Sequence, residues 1–164
     1  MQDIGKRLET LGLKLPPTPK PQGSYVPAVR AGNLVFVSGQ LPMRDGQLAY
    51  KGKVGRDLDV AQAREAARIC FLNLLAAMGA AGVSPDQVTR VVRMGGFVQC
   101  VDGFSEQPKV INGASDLCQE LFGEIGRHAR AAVGVNALPL DAAVEIDAVF
   151  EVAERLNAPD RAGA

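Results

Sequence analysis

Apolar and polar positions recur along this chain with two periods, and the switches between them mark its elements. Ile4, Leu8, Leu11 and Leu13 fall at roughly helical spacing, which predicts a short amphipathic helix over residues 3–12. The run PPTPKPQG ends it, because prolines at 16, 17, 19 and 21 remove the backbone donors a central strand would need. Two strand-like runs follow, Tyr25 to Arg30 and Leu34 to Gln40, broken at Gly32-Asn33 as in a β-hairpin. The glycine-rich, charged segment MRDGQLAYKGKVGRD suits a loop or a short edge strand.

The clearest helix pattern runs from Val60 to about Ala81. Asp59 is placed to cap it, with Gln62 as the reciprocal capping-box residue, and Ala63, Ala67, Cys70, Leu74 and Ala77 form its apolar stripe. Gly79 or Gly82 should end it. Ser84 and Pro85 repeat the start signal for a brief turn before the strand run VTRVVRMGGFVQCV, whose Gly95 and Gly96 predict a bulge or the close approach of another chain. Residues 105–122 read as a second amphipathic helix with Pro108 in its first turn. Arg130 to Val135 and Ala143 to Val152 read as closing strands joined by NALPLDA.

The order is therefore β-β-α-β-α-β-β after a short leading helix. With only two main helices, an α+β fold with a single sheet backed on one face fits better than a doubly wound one. Val35 and Val37 alternate with Leu34 and Phe36, so the sheet is apolar on both faces and its second face needs a cover, for which a partner subunit is expected. Residues 1–21 read as a helix and connector, 22–153 as the domain, and 154–164 as a flexible tail.

Composition narrows the function classes. At 164 residues the chain can bury a core without disulfides or metal. Its 18 basic and 18 acidic residues cancel, so nothing marks a nucleic-acid or anionic-membrane footprint. No apolar run approaches the ~20 residues that cross a bilayer, and the charged start lacks a signal-peptide core. Cys70, Cys100 and Cys118 are scattered, which predicts free thiols in a reducing cytoplasm; with His128 they offer no metal-ligand spacing.

The candidate chemistry lies between residues 127 and 151. Alternation points Ala131, Val133 and Val135 one way and Arg130, Ala132 and Gly134 the other, which predicts that Arg130 leaves the apolar face. Val144, Ile146 and Phe150 share one side of the last strand; Glu145, Asp147 and Glu151 share the other. An arginine or glutamate in such a place is ordinarily a solvated residue or half of an ion pair. The alternatives are a guanidinium fork for a carboxylate and a carboxylate that orients water or moves a proton. The register across NALPLDA decides whether the two meet, and the sequence leaves it open.

GSYVPAV, VFVSGQLP, VINGAS and the R-A-A-V…LP…VEID element occur in an order and spacing that resemble the YjgF/Rid family of reactive-intermediate deaminases over roughly residues 22–153. The chain is similar to a divergent, longer branch of it. The resemblance implies a chorismate-mutase-like fold, a homotrimer with inter-subunit clefts, and hydrolysis of 2-imino acids, tautomers of enamines such as 2-aminoacrylate, to 2-keto acids and ammonia without a cofactor. It implies that Arg130 anchors the substrate carboxylate, that Glu145 holds the attacking water, and that Tyr25, Ser38 and the Gly39 N–H line the cleft. Ala132 stands where many members carry cysteine, so a substrate contact there would use its backbone; Asn112 matches a structural hydrogen-bonder. His128 could edge the cleft, though nothing in the sequence pairs it with a nucleophile. The competing readings are a non-catalytic protein that binds small carboxylates and, third, a ribonuclease or translation inhibitor.

Overall fold

The computed structural model describes residues 3–19 and 24–154. Residues 155–164, assigned above to the tail, and Lys20 and Pro21 of the connector lie outside the described residues. Helix α1 (Ile4–Thr10) starts where the Asp3 carboxylate accepts the Lys6 N–H. Its apolar face is short but fully used. Ile4 and Leu8 are buried, and Arg7 reaches across to donate to the Leu121 carbonyl.

A five-stranded mixed sheet carries the architecture, in the order β1-β2-β7-β5-β6. The strands are β1 (Ala28–Ala31), β2 (Leu34–Gln40), β5 (Val88–Gln99), β6 (Ala129–Val135) and β7 (Val144–Val152); a small separate ribbon is formed by β3 (Met43–Arg44) and β4 (Gln47–Leu48). Only the β5–β6 pair is parallel, and the connection between them is helix α3 (Gln107–Phe122). Helix α2 (Val60–Ala77) opens with the capping box of Asp59 and Gln62 and passes into a 3₁₀ turn that Gly82 ends in the left-handed region, φ +67°. Both helices cover one face of the sheet, as an α+β fold requires. Their crossing is close because it is made from small residues: Ala63, Ala66, Ala67 and Ala114 are buried, and a Cβ on Gly113 would strike the Arg64 backbone.

Two local expectations change. The first strand begins at Ala28 rather than Tyr25, because Pro27 has no N–H for the ladder; only its carbonyl bonds, to the Ser38 N–H. At Gly95 and Gly96 the ladder runs without a bulge, and the close approach comes from this chain's own side chains. A Cβ on Gly95 would stand 3.1 Å from Asp147 Cγ, and one on Gly96 2.5 Å from Ile111 Cδ1.

The other face of the sheet is open. Val29, Phe36 and Val149 lie side by side across β1, β2 and β7, and Phe97 stands beside Val133 across β5 and β6. Val29, Phe36 and Val133 are 51, 46 and 44% exposed.

Candidate functional site

Strand β5 settles the faces on which the predicted residues stand, because it pairs with both β6 and β7. Met94 is opposite Arg130 on one side and Ala148 on the other; Met94 and Ala148 are buried under the helices, so Arg130 shares the helix-covered face. Phe97 is opposite Val133 and Glu145, which places Glu145 on the open face. The alternation read from sequence is correct, but Arg130 does not leave the core side. It stands on β6, the edge strand of the sheet, and is exposed. Within one chain Arg130 and Glu145 are on opposite faces, two strands apart and offset along β5 from Met94 to Phe97, about 14 Å in the plane of the sheet.

The register left open by the sequence is held at the end of β5. Gln99, 2% exposed, donates from Nε2 to Asp141 Oδ1 at 2.6 Å and accepts the Leu138 N–H on Oε1 at 2.7 Å. That clamp ties the β6–β7 loop to β5.

Around Glu145 the chain gathers Ser38 and Gly39. Strand β2 changes register between Val37 and Gln40, so Ser38 and Gly39 form a bulge against β7. Gly39 is needed there: an added Cβ would overlap Glu145 Oε1 and lie 2.9 Å from Cδ. The Ser38 hydroxyl donates to the Val26 carbonyl at 3.0 Å, so its proton is committed and only its lone pairs remain, for donors. Tyr25, 56% exposed, precedes that carbonyl by one residue. Burial raises the Glu145 carboxyl above the usual carboxylate range, and the like charge of Asp147 adds to the effect.

Arg130 belongs to a second cluster with Asn112, Ser115 and His128. Its Nη1 donates to Asn112 Oδ1 at 2.8 Å and to Ser115 Oγ at 3.0 Å. His128 Nε2 is 3.1 Å from Ser115 Oγ, and its Nδ1 is 2.6 Å from the Gly126 carbonyl oxygen. Ala132 lies two residues along the same face of β6, half-buried. A cleft of about 380 Å³ opens beside this cluster, lined by Ser115, Asp116, Gln119, Arg127, His128 and Arg130. Among the described residues no carboxylate comes within 4.0 Å of the Arg130 guanidinium. Ser115 was passed over in sequence; its signal was helical, three residues after Asn112 and so on the same face of α3.

The three cysteines are free and buried. Burial pushes the Cys118 thiol up to about 12, and raises that of Cys70 well above its ordinary value, with Glu145 adding to the shift. Such thiols are packing residues rather than nucleophiles. Among the described residues no helix is long and apolar enough to cross a membrane.

Comparison with known proteins agrees with this fold. The family model described as "YjgF/chorismate_mutase-like, putative endoribonuclease" matches residues 5–153. Protein TCP17 of Trypanosoma cruzi is 45% identical over 150 residues, covering 91% of this chain and 94% of the relative. The 2-iminobutanoate/2-iminopropanoate deaminase of Dermatophagoides farinae is 29% identical over 140 residues, covering 85% of this chain and 94% of its own. Among solved structures, the protein Atu1372 from Agrobacterium tumefaciens superposes with a TM-score of 0.85 at 50% identity, covering 92% of each chain. From the sheet order to the matched residues, the chain belongs to the YjgF/chorismate mutase-like family.

Proposed function

We propose that the protein hydrolyses reactive 2-imino acids of the 2-aminoacrylate type to 2-keto acids and ammonia, in clefts formed between the subunits of a homotrimer. The observation that carries this reading is the Arg130 guanidinium. Both Nη1 bonds go to neutral side chains, while Nε and Nη2 donate to nothing among the described residues. That edge is the side-on fork that grips a carboxylate bidentately. The deaminase of Dermatophagoides farinae among the relatives supports the reaction class.

Because Arg130 and Glu145 lie on opposite faces of one sheet, a cleft that uses both draws Arg130 from one copy and Glu145 from the next. Arg130 fixes the substrate carboxylate, with the Gly39 N–H, Tyr25, Ser38 and the Ala132 backbone lining the cleft. Glu145 accepts a proton from water as the oxygen attacks the imine carbon and passes it to the nitrogen, giving a carbinolamine; it then takes the hydroxyl proton and delivers that to the nitrogen as well, so that the C–N bond breaks and ammonia leaves as the C=O bond forms. The raised Glu145 carboxyl suits both halves of that cycle. Holding an already electrophilic carbon next to an oriented water can supply ~7 kcal/mol or more. A ribonuclease would need a basic track, whereas the open face is apolar and its Arg93 is paired with Asp147 at 3.1 Å.

The test is release of 2-keto acid from freshly generated 2-aminoacrylate and 2-iminobutanoate above the spontaneous rate. Arg130→Lys should lose most of that rate, because an ammonium does not reproduce the fork. Near-parental turnover in Arg130→Lys would remove bidentate capture, and no rate above background in the parent would leave only carboxylate binding.

A further inference from the structure

We propose that Ser115 and His128 are positioning residues for Arg130: together they form a directional hydrogen-bond relay, anchored on the Gly126 carbonyl, that holds the guanidinium with its Nε/Nη2 edge outward. The proposal rests on the reading of Arg130 as the carboxylate anchor and adds the groups that set its orientation.

The direction of each bond follows from the atoms. The Gly126 carbonyl has no proton, so at 2.6 Å His128 Nδ1 must be the donor. In the neutral ring Nε2 is then a bare lone pair, and at 3.1 Å it accepts the Ser115 hydroxyl proton. With its proton sent to His128, Ser115 Oγ turns lone pairs to Arg130 and accepts Nη1–H at 3.0 Å. Asn112 Oδ1 takes the other Nη1–H at 2.8 Å. Every donor in the relay has one acceptor, and both N–H groups of Nη1 are consumed. The guanidinium can therefore neither turn about its Nε–Cζ bond nor present Nη1 to a ligand.

The local fold supplies the rigidity. Asn112 and Ser115 are three residues apart on α3, which is anchored by buried Ile111, Ala114 and Leu117. The 3₁₀ turn Gly123–Gly126 returns the chain from α3 so that the Gly126 carbonyl meets the ring, and buried Gly126 is itself packed against the Cys118 carbonyl, 2.8 Å from where its Cβ would be. The long arginine side chain at an exposed strand edge would otherwise sample many rotamers, an entropy cost that a substrate would have to meet on binding.

The experiment has a ligand-free arm and a ligand arm, both on the full-length protein. In ¹⁵N spectra of the parent, the Arg130 Nη1 and Nη2 signals, assigned by their loss in Arg130→Lys, should be resolved from one another, and they should merge in Ser115→Ala and in His128→Ala. By calorimetric titration with 2-oxobutanoate, each single variant should bind roughly 3- to 10-fold more weakly, the effect of one hydrogen bond. Because His128 acts through Ser115, the double variant should bind no more weakly than Ser115→Ala alone, and Ser115→Thr, which keeps the hydroxyl, should restore parental affinity. Resolved Nη signals in His128→Ala, or single-variant losses that multiply in the double variant, would overturn the relay. If the parent fails to bind 2-oxobutanoate while the Nη signals behave as described, the carboxylate role of Arg130 falls and the positioning relay stands.

Discussion

Glu145 stands on a half-buried strand position with Asp147 two residues along the same face, and the consequence for stability has a definite sign. Its folded-state pKa is raised, by burial first and Asp147 second. Below the ordinary carboxylate range the group is protonated in both folded and unfolded chains and contributes nothing. As pH rises past that range the unfolded chain ionises first, so stability falls until the folded-state value is passed and stays lower above it. Glu145→Gln removes the penalty: thermal unfolding should show the variant more stable than the parent at pH 7, with the gap closing below about pH 4. The same substitution should cut imine hydrolysis by ~10²–10⁴-fold while leaving 2-oxobutanoate binding intact; a protein that only binds carboxylates has no turnover to lose. Gly39→Ala offers an independent check, since a Cβ there overlaps Glu145 Oε1 and must displace the carboxylate. Its turnover should fall toward that of Glu145→Gln, with circular dichroism unchanged. Residue types and motif spacing made Arg130 and Glu145 visible in the sequence. Their faces were not, because the register depends on pairing with β5 and on the Gln99 clamp, long-range contacts that no local pattern encodes.

The elements differ in how much of their definition is local. Helix α2 was legible because its start is written in adjacent residues: Asp59 accepts the Gln62 N–H at 2.8 Å and Gln62 Oε1 accepts the Asp59 N–H at 3.0 Å. Ser84 with Pro85, and Pro108 in the first turn of α3, are local signals of the same kind. The start of β1 at Ala28 and the unbroken ladder through Gly95 and Gly96 were not legible, since each depends on what lies across the sheet. Stability should follow the same division. Asp59→Ala removes a cap worth about 1 kcal/mol and should lower the melting temperature by about 2–4 °C. Gly113→Ala should cost more, about 1–3 kcal/mol, because the new methyl meets the Arg64 carbonyl, a backbone group with no alternative rotamer to adopt. Equal melting temperatures for Gly113→Ala and the parent would mean that α2 and α3 leave room for a methyl group at their crossing.

At the scale of the molecule, the open face joins an apolar surface of Val29, Phe36, Phe97, Val133 and Val149 to one half of the candidate site, while Arg130 holds the other half at the far edge on the opposite face. An exposed apolar sheet face of this kind calls for a partner, and head-to-tail contact of identical chains closes into a ring when the rotation permits. Phe36→Glu places a charge on that face without touching the core, since Phe36 is 46% exposed. Sedimentation should give three chains for the parent and one for the variant, with secondary structure retained and turnover lost. Complementation gives the sharper test of a shared cleft. Arg130→Ala and Glu145→Gln should each be inactive alone. When the two are dissociated, mixed in equal amounts and reassembled, a cleft recovers both groups only where a subunit with Arg130 intact donates to one with Glu145 intact. Random assortment gives that arrangement in about a quarter of clefts, so about a quarter of parental turnover should return. Were both groups supplied by one chain, mixing would restore none, because no subunit in the mixture carries both.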